Sequence, residues 1–100
     1  MLTEKQSEIF RNAQDDIKKV ARAVYLMCPE LSIEDLETYF YVKLRKSCAM
    51  LNTDILDDDG TAERFVNLSL KIDARNLTVC RDPKILINSA KDEYNRLITV

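Results

Sequence analysis

The sequence predicts an all-α fold, a small bundle of three long helices plus one shorter element. Three long stretches repeat apolar residues in steps of three and four, which is the period of a helix with one buried face. A capping residue precedes each of them. One hundred residues suffice for one domain, so we expect a single helical domain over residues 1–100.

The first element, residues 3–28, has the clearest pattern. Its apolar positions are Phe10, Ala13, Ile17, Val20, Val24 and Met27. Thr3 and Gln6 have the spacing of a capping box. Pro29 disfavours helical geometry at the residue before it, so the helix should end near Cys28. We expect Ile17 and Val20 at the centre of the core.

The second element begins after Ser32, a favourable N-cap. It should run from Ile33 to about Leu51, with Asn52 as a left-handed residue beyond its end. Its buried face should comprise Leu36, Phe40, Leu44, Cys48 and Leu51. The short link over residues 29–32 makes it an antiparallel neighbour of the first helix.

The last long element begins with Asp82 as N-cap and Pro83 at the first helical position. Its apolar positions are Ile87, Ala90, Tyr94 and Leu97. These features predict a helix that runs nearly to Val100.

The stretch over residues 64–80 allows two interpretations. Val66, Leu68, Leu70 and Ile72 alternate with polar residues, which predicts a strand of a two-stranded hairpin and an α+β fold. The helical interpretation places Ala62, Phe65, Leu68 and Ile72 on one buried face and ends the helix with Asn76 as the left-handed residue. The helix-favouring composition makes the second interpretation the preferred one.

The composition argues against the common kinds of enzyme. The chain has no histidine and one glycine. It therefore lacks the usual general base and the commonest metal ligand, and it cannot form a glycine-rich phosphate loop. The acidic stretch over residues 54–60 does not fit a calcium loop, because Ile55 and Val66 occupy the two essential carboxylate positions. We expect no enzymatic activity and no cofactor.

The cysteines and the hydropathy indicate a cytoplasmic protein. Cys28, Cys48 and Cys80 are an odd, widely spaced set, so we expect free thiols that fill the core rather than a disulfide framework or a zinc site. No apolar run approaches the roughly 20 residues that span a bilayer, so we expect no association with membranes.

Two groups of residues are candidates for binding a partner. Tyr25, Leu26 and Tyr41 lie off the main stripes of the first two helices, and exposed aromatic residues are enriched at protein interfaces. The two basic clusters consist of Lys18, Lys19 and Arg22, and of Lys43, Arg45 and Lys46. Such clusters are more often a solvated surface, but on one face they would attract phosphate or an acidic protein.

These features favour a non-enzymatic protein-binding module: a small regulator, adaptor, inhibitor or chaperone. The alternative is a DNA-binding helical regulator that uses the basic residues of the first two helices. Its weakness is the net charge of −2, since nucleic-acid binders usually carry a basic excess. Because so short a chain covers its apolar surface incompletely, we also expect a two-fold homodimer, with Tyr25, Leu26 and Tyr41 at that interface or at the functional one.

Overall fold

The computed structural model describes residues 2–52 and 59–98, and within these ranges it confirms the all-α prediction. The described residues form helices and no strand. The helices are α1 (Glu4–Met27), α2 (Ile33–Ala49), α3 (Asp59–Val79) and α4 (Pro83–Ile98). One hydrophobic cluster contains buried residues from all four of them.

The predicted caps of the first two helices are present. The Thr3 hydroxyl accepts a hydrogen bond from the backbone N–H of Gln6, and the Gln6 side chain accepts one from the backbone N–H of Thr3. The Ser32 hydroxyl accepts from the backbone N–H of Asp35. These bonds satisfy amides that have no partner within the first turn of a helix.

Helix α3 replaces the hairpin considered for residues 64–80. At 21 residues it is longer than α2, which has 17, although the sequence suggested a shorter element here. It continues through Asn76 to Val79. No described residue has a positive φ angle, so the left-handed conformations predicted for Asn52 and Asn76 are wrong.

The buried face of α3 differs from the predicted one. Its buried residues are Ala62, Val66, Leu70 and Leu77. Leu68 and Ile72, which we expected in the core, are 58% and 50% exposed. The acidic stretch at residues 54–60 lies mostly outside the described residues, and its last two residues belong to α3.

Helix α2 is the central element, because it packs against the other three helices. It runs antiparallel to α1: the Gln6 side chain near the start of α1 bonds to the Leu51 carbonyl just after α2. Helices α1 and α3 run parallel, since Ile9 adjoins Glu63 in one recess and Met27 adjoins Thr78 in another. Two ion pairs join α2 to α4, Asp35 with Lys91 and Lys46 with Glu93.

None of the helices in the described ranges has the length and hydrophobicity that a membrane-crossing segment requires.

Candidate functional site

The three apolar candidates from the sequence occupy different surroundings. Tyr25 is 38% exposed and Leu26 is 76% exposed, both at the end of α1. Tyr41 is half-buried on α2, and its ring meets the ring of Phe10 edge-on at a centroid distance of 5.1 Å. Phe10 precedes Tyr25 by fifteen residues, which is about 22 Å along a helix. The structure therefore brings Tyr41 to the first half of α1, away from Tyr25 and Leu26.

Tyr41 connects three helices through its ring contacts. Its second neighbour is Tyr94 of α4, with ring centroids 5.5 Å apart and an interplanar angle of 84°. Edge-to-face pairs of this kind contribute about 0.5–1.5 kcal/mol beyond the burial of their area. The contacts give Tyr41 a clear structural role in holding α4 against α1 and α2.

The two basic clusters lie at different levels of the bundle. Because α1 and α2 are antiparallel and Gln6 lies beside Leu51, Lys46 is level with the first third of α1, well before Lys18. Lys18 lines a recess that also contains Glu34 and Glu37 of α2. Lys46 and Lys18 therefore do not lie at one level of the bundle, and acidic side chains of α2 lie beside Lys18.

The second cluster makes contacts within the bundle. The Lys46 ammonium lies 2.7 Å from the Glu93 carboxylate of α4. The Lys43 ammonium lies 5.6 Å from the centre of the Tyr39 ring, a cation–π distance. Arg45 is half-buried beside Arg96 and Leu97. The ion pair with Glu93 offsets the positive charge of Lys46, whereas the charges of Lys43 and Arg45 are not paired by these contacts.

Sequence reasoning missed an apolar groove between the second halves of α1 and α3, which we call the α1/α3 groove. It has a volume of about 400 Å³ and is open to solvent. It is lined by Lys19, Val20, Ala23, Val24, Met27, Lys71, Ala74, Arg75 and Thr78. The small side chains of Ala23 and Ala74 leave the space between the two helices unfilled. Met27, expected on the buried stripe, is 70% exposed here.

Positive charge borders the α1/α3 groove on both sides. Lys19 stands on α1, and Lys71 and Arg75 stand one turn apart on α3. None of the described residues that line the groove is acidic. Of these three residues, only Lys19 was a candidate from the sequence. The spacing of Lys71 and Arg75 is visible in the sequence, but its meaning depends on which face of α3 is buried.

An exposed apolar stripe on α3 lies next to the groove. Leu68, Ile72 and Val79 recur at steps of four and seven, so they share one face of the helix, and 50–70% of each is exposed. This face points away from the buried residues of α3. Exposed apolar area of this kind marks sites of association when it is contiguous.

A separate group of titratable side chains lies between α2 and α3. Tyr39 is 1% exposed, and its hydroxyl donates to the Asp73 carbonyl at 3.5 Å. Burial raises the pKa of Tyr39 to about 12, and the nearby Asp73 and Cys80 add to the rise. A phenol with this pKa stays protonated at neutral pH, so it is a poor general base. We assign this group to the packing of α2 on α3.

All three thiols are unpaired in the structure. Cys48 is fully buried, and burial raises its pKa to about 11, while Cys28 and Cys80 are half-buried. In the part of the chain that the structure describes, no three potential metal ligands come together. The expectation that reducing agents leave the stability of the protein unchanged stays a prediction.

Comparisons with known protein families, with curated proteins and with solved structures give no match to this chain.

Proposed function

We propose that the chain is a non-enzymatic protein-binding module, and that the α1/α3 groove receives an amphipathic helix of a partner protein. The observation that carries the proposal is the combination of an apolar floor with basic side chains on both borders. A helix that lies in an apolar groove places residues i, i+3, i+4 and i+7 on the floor. Flanking acidic residues on that helix would face Lys19, Lys71 and Arg75.

The space between α1 and α3 is long enough for this mode of binding. The α1/α3 groove spans Lys19 to Met27 on α1, and a second recess between the same two helices begins at Ile9, so the two together cover about 27 Å of helix. A partner helix of about 18 residues has the same length. Charged borders of this kind accelerate association and determine which partners are rejected.

The test uses synthetic helical peptides of about 18 residues, with leucines at the floor positions and either glutamate or lysine at the flanks. Fluorescence anisotropy should show tighter binding of the glutamate peptide. Lys71→Glu with Arg75→Glu should weaken that binding about tenfold, because two favourable contacts become repulsive. Ala23→Glu should weaken it as well, because it fills the floor and adds a negative charge.

Lys84→Glu is the matched control, because Lys84 is exposed on α4 outside the groove. Circular dichroism confirms that each variant remains folded. Equal affinity for both peptides, or equal weakening by Lys84→Glu, would contradict the proposal. A salt-sensitive gel shift with DNA, lost on reversing Lys18, Lys19 and Arg22, would instead favour the alternative of a DNA-binding regulator.

The homodimer expected from the sequence, with Tyr25, Leu26 and Tyr41 at that interface or at the functional one, remains a prediction. Leu26, Ile72 and Val79 offer the exposed apolar area that a second copy would cover. Binding to the peptide is therefore measured together with the mass of the free chain. Release of a dimer by the peptide would show that the second copy and the peptide compete for one surface.

A further inference from the structure

The space between α1 and α3 has opposite charge at its two ends. The recess at the first half of the two helices is lined by Ile9, Asn12, Ala13, Asp16, Glu63, Val66 and Asn67. Its charged residues are thus Asp16 and Glu63. The recess at the second half is the α1/α3 groove, whose charged residues are Lys19, Lys71 and Arg75. Because α1 and α3 are parallel, the charge changes sign along both walls in the same direction.

The opposite charges on α3 are far enough apart to act separately on a ligand. On α3, twelve residues separate Glu63 from Arg75, which is about 18 Å of helix. This separation is about twice the screening length of roughly 8 Å at physiological ionic strength. On α1, Asp16 and Lys19 are only about 4.5 Å of helix apart, so the separation of charge is carried by α3. A bound side chain near Glu63 or near Arg75 therefore responds mainly to the charge beside it.

We infer that the partner helix carries segregated charge, with acidic side chains over Lys19, Lys71 and Arg75 and basic side chains over Asp16 and Glu63. This inference rests on the proposed function, because it specifies the occupant of the same surface. A uniformly acidic helix would meet Asp16 and Glu63 with like charge, which is a penalty that segregated charge avoids. The acidic recess and the basic α1/α3 groove therefore fix the direction in which the partner helix lies along α1 and α3.

The experiment compares two peptides of identical composition and apolar spacing. In one, glutamates fill one half and lysines the other, and in the second the two charges are interleaved. The segregated peptide should bind at least threefold more tightly. A nitroxide label at its acidic end should broaden the NMR amide signals around Arg75 and leave those around Glu63 sharp.

A second test reverses the negative charge that α3 contributes to the acidic recess. Glu63→Lys should weaken binding of the segregated peptide and strengthen binding of a uniformly acidic one, since it removes the negative end on α3. Glu63 is exposed, so the variant should stay folded, and circular dichroism checks this. Lys84→Glu again serves as the control, with no expected change.

The possible outcomes separate this inference from the proposed function. Equal affinity of the two peptides, or equal broadening at both ends of α3, would overturn the inference of segregated charge and leave the docking function standing. Absence of binding by every acidic peptide would overturn both. Tighter binding of the segregated peptide with broadening around Glu63 would overturn the assignment of its acidic end to Lys71 and Arg75.

Discussion

The Gln6 side chain forms hydrogen bonds at the start of α1 and just after the end of α2. It is 7% exposed and is the only buried polar residue among those the structure describes. Its Oε1 accepts from the backbone N–H of Thr3 at 2.9 Å, and its Nε2 donates to the Leu51 carbonyl at 2.8 Å. The last carbonyls of a helix lack partners within it. The capping box was predictable because it is local, whereas the bond to Leu51 required the antiparallel packing of α1 and α2.

Replacing Gln6 with Leu should destabilise the protein by about 1–3 kcal/mol, because the Leu51 carbonyl would lose its donor in a buried position. Urea unfolding measures the change. Gln14→Leu is the control, because Gln14 is an exposed glutamine of the same helix, and its effect should lie within about 0.5 kcal/mol. Equal effects of the two substitutions would show that the bond to Leu51 contributes little.

The raised pKa of Asp73 predicts that the stability of the protein depends on pH. Burial raises its pKa above the ordinary value of 3.8, although Lys43 and Lys46 favour the charged carboxylate, and Tyr39 and Cys80 also lie nearby. The folded state thus holds this proton more tightly than the unfolded state. The protonated Asp73 carboxyl therefore stabilises the folded state fully below about pH 3.8, and this contribution is lost as the pH rises through the folded-state pKa.

Asp73→Asn should therefore melt at a higher temperature than the wild type at pH 7. The difference should shrink on acidification and vanish below about pH 3.8, where Asp73 is protonated in both states. Asp92→Asn, at an exposed site on α4, controls for the loss of a charge. A wild type that is more stable than Asp73→Asn at pH 7 would mean that Lys43 and Lys46 outweigh the cost of burial.

Among the elements, α1 agrees best with its sequence pattern. Phe10, Ile17 and Val24 are buried as predicted. Ala21, which also belongs to the predicted stripe, is fully buried, whereas Val20 is half-buried at the groove and not central to the core. Val20 lies on the side of α1 that contacts α3, at the groove between them. The sequence of α1 alone does not specify where a third helix will lie, so the burial of Val20 could not be predicted from it.

Two substitutions on α1 should separate its buried face from its outer face. Ile17→Asp should unfold the domain or cost more than about 4 kcal/mol, because it buries an unpaired charge at a site only 5% exposed. Leu26→Asp should change stability by less than about 0.5 kcal/mol, because Leu26 is 76% exposed. Thermal melts followed by circular dichroism compare them. A cooperative melt of Ile17→Asp near the wild-type temperature would refute the burial of this face.

Helix α3 was ambiguous in the sequence for a physical reason. Val66 and Leu70 face the core, while Leu68 and Ile72 face outward, so a helix with apolar residues on two opposite faces reproduces the alternation of a strand. The same ambiguity concealed the α1/α3 groove. Lys71 and Arg75 could be placed at its border only once the buried face of α3 was known.

For the whole molecule, the exposed apolar residues predict self-association. We expect a two-fold homodimer, and light scattering should show a mass that rises from 11.6 kDa toward twice that value with concentration. Ile72→Lys should shift the equilibrium toward the monomer, because it places a charge on the outer face of α3. Ile85→Lys, at an exposed site on α4, is the matched control. A constant monomeric mass at high concentration would exclude the dimer.

The central position of α2 has a consequence for the rate at which backbone amides exchange with solvent deuterium. Helices α1, α3 and α4 each cover part of its surface, and four of its large side chains, Leu36, Tyr39, Phe40 and Leu44, are at most 1% exposed. The amides in the middle of α2 can exchange only when the whole bundle opens, whereas the last turns of α1 and α3 can fray locally. The slowest exchange should therefore occur in α2. Its sequence shows a weaker apolar stripe than that of α1, because a helix that is buried on several sides has no purely polar face.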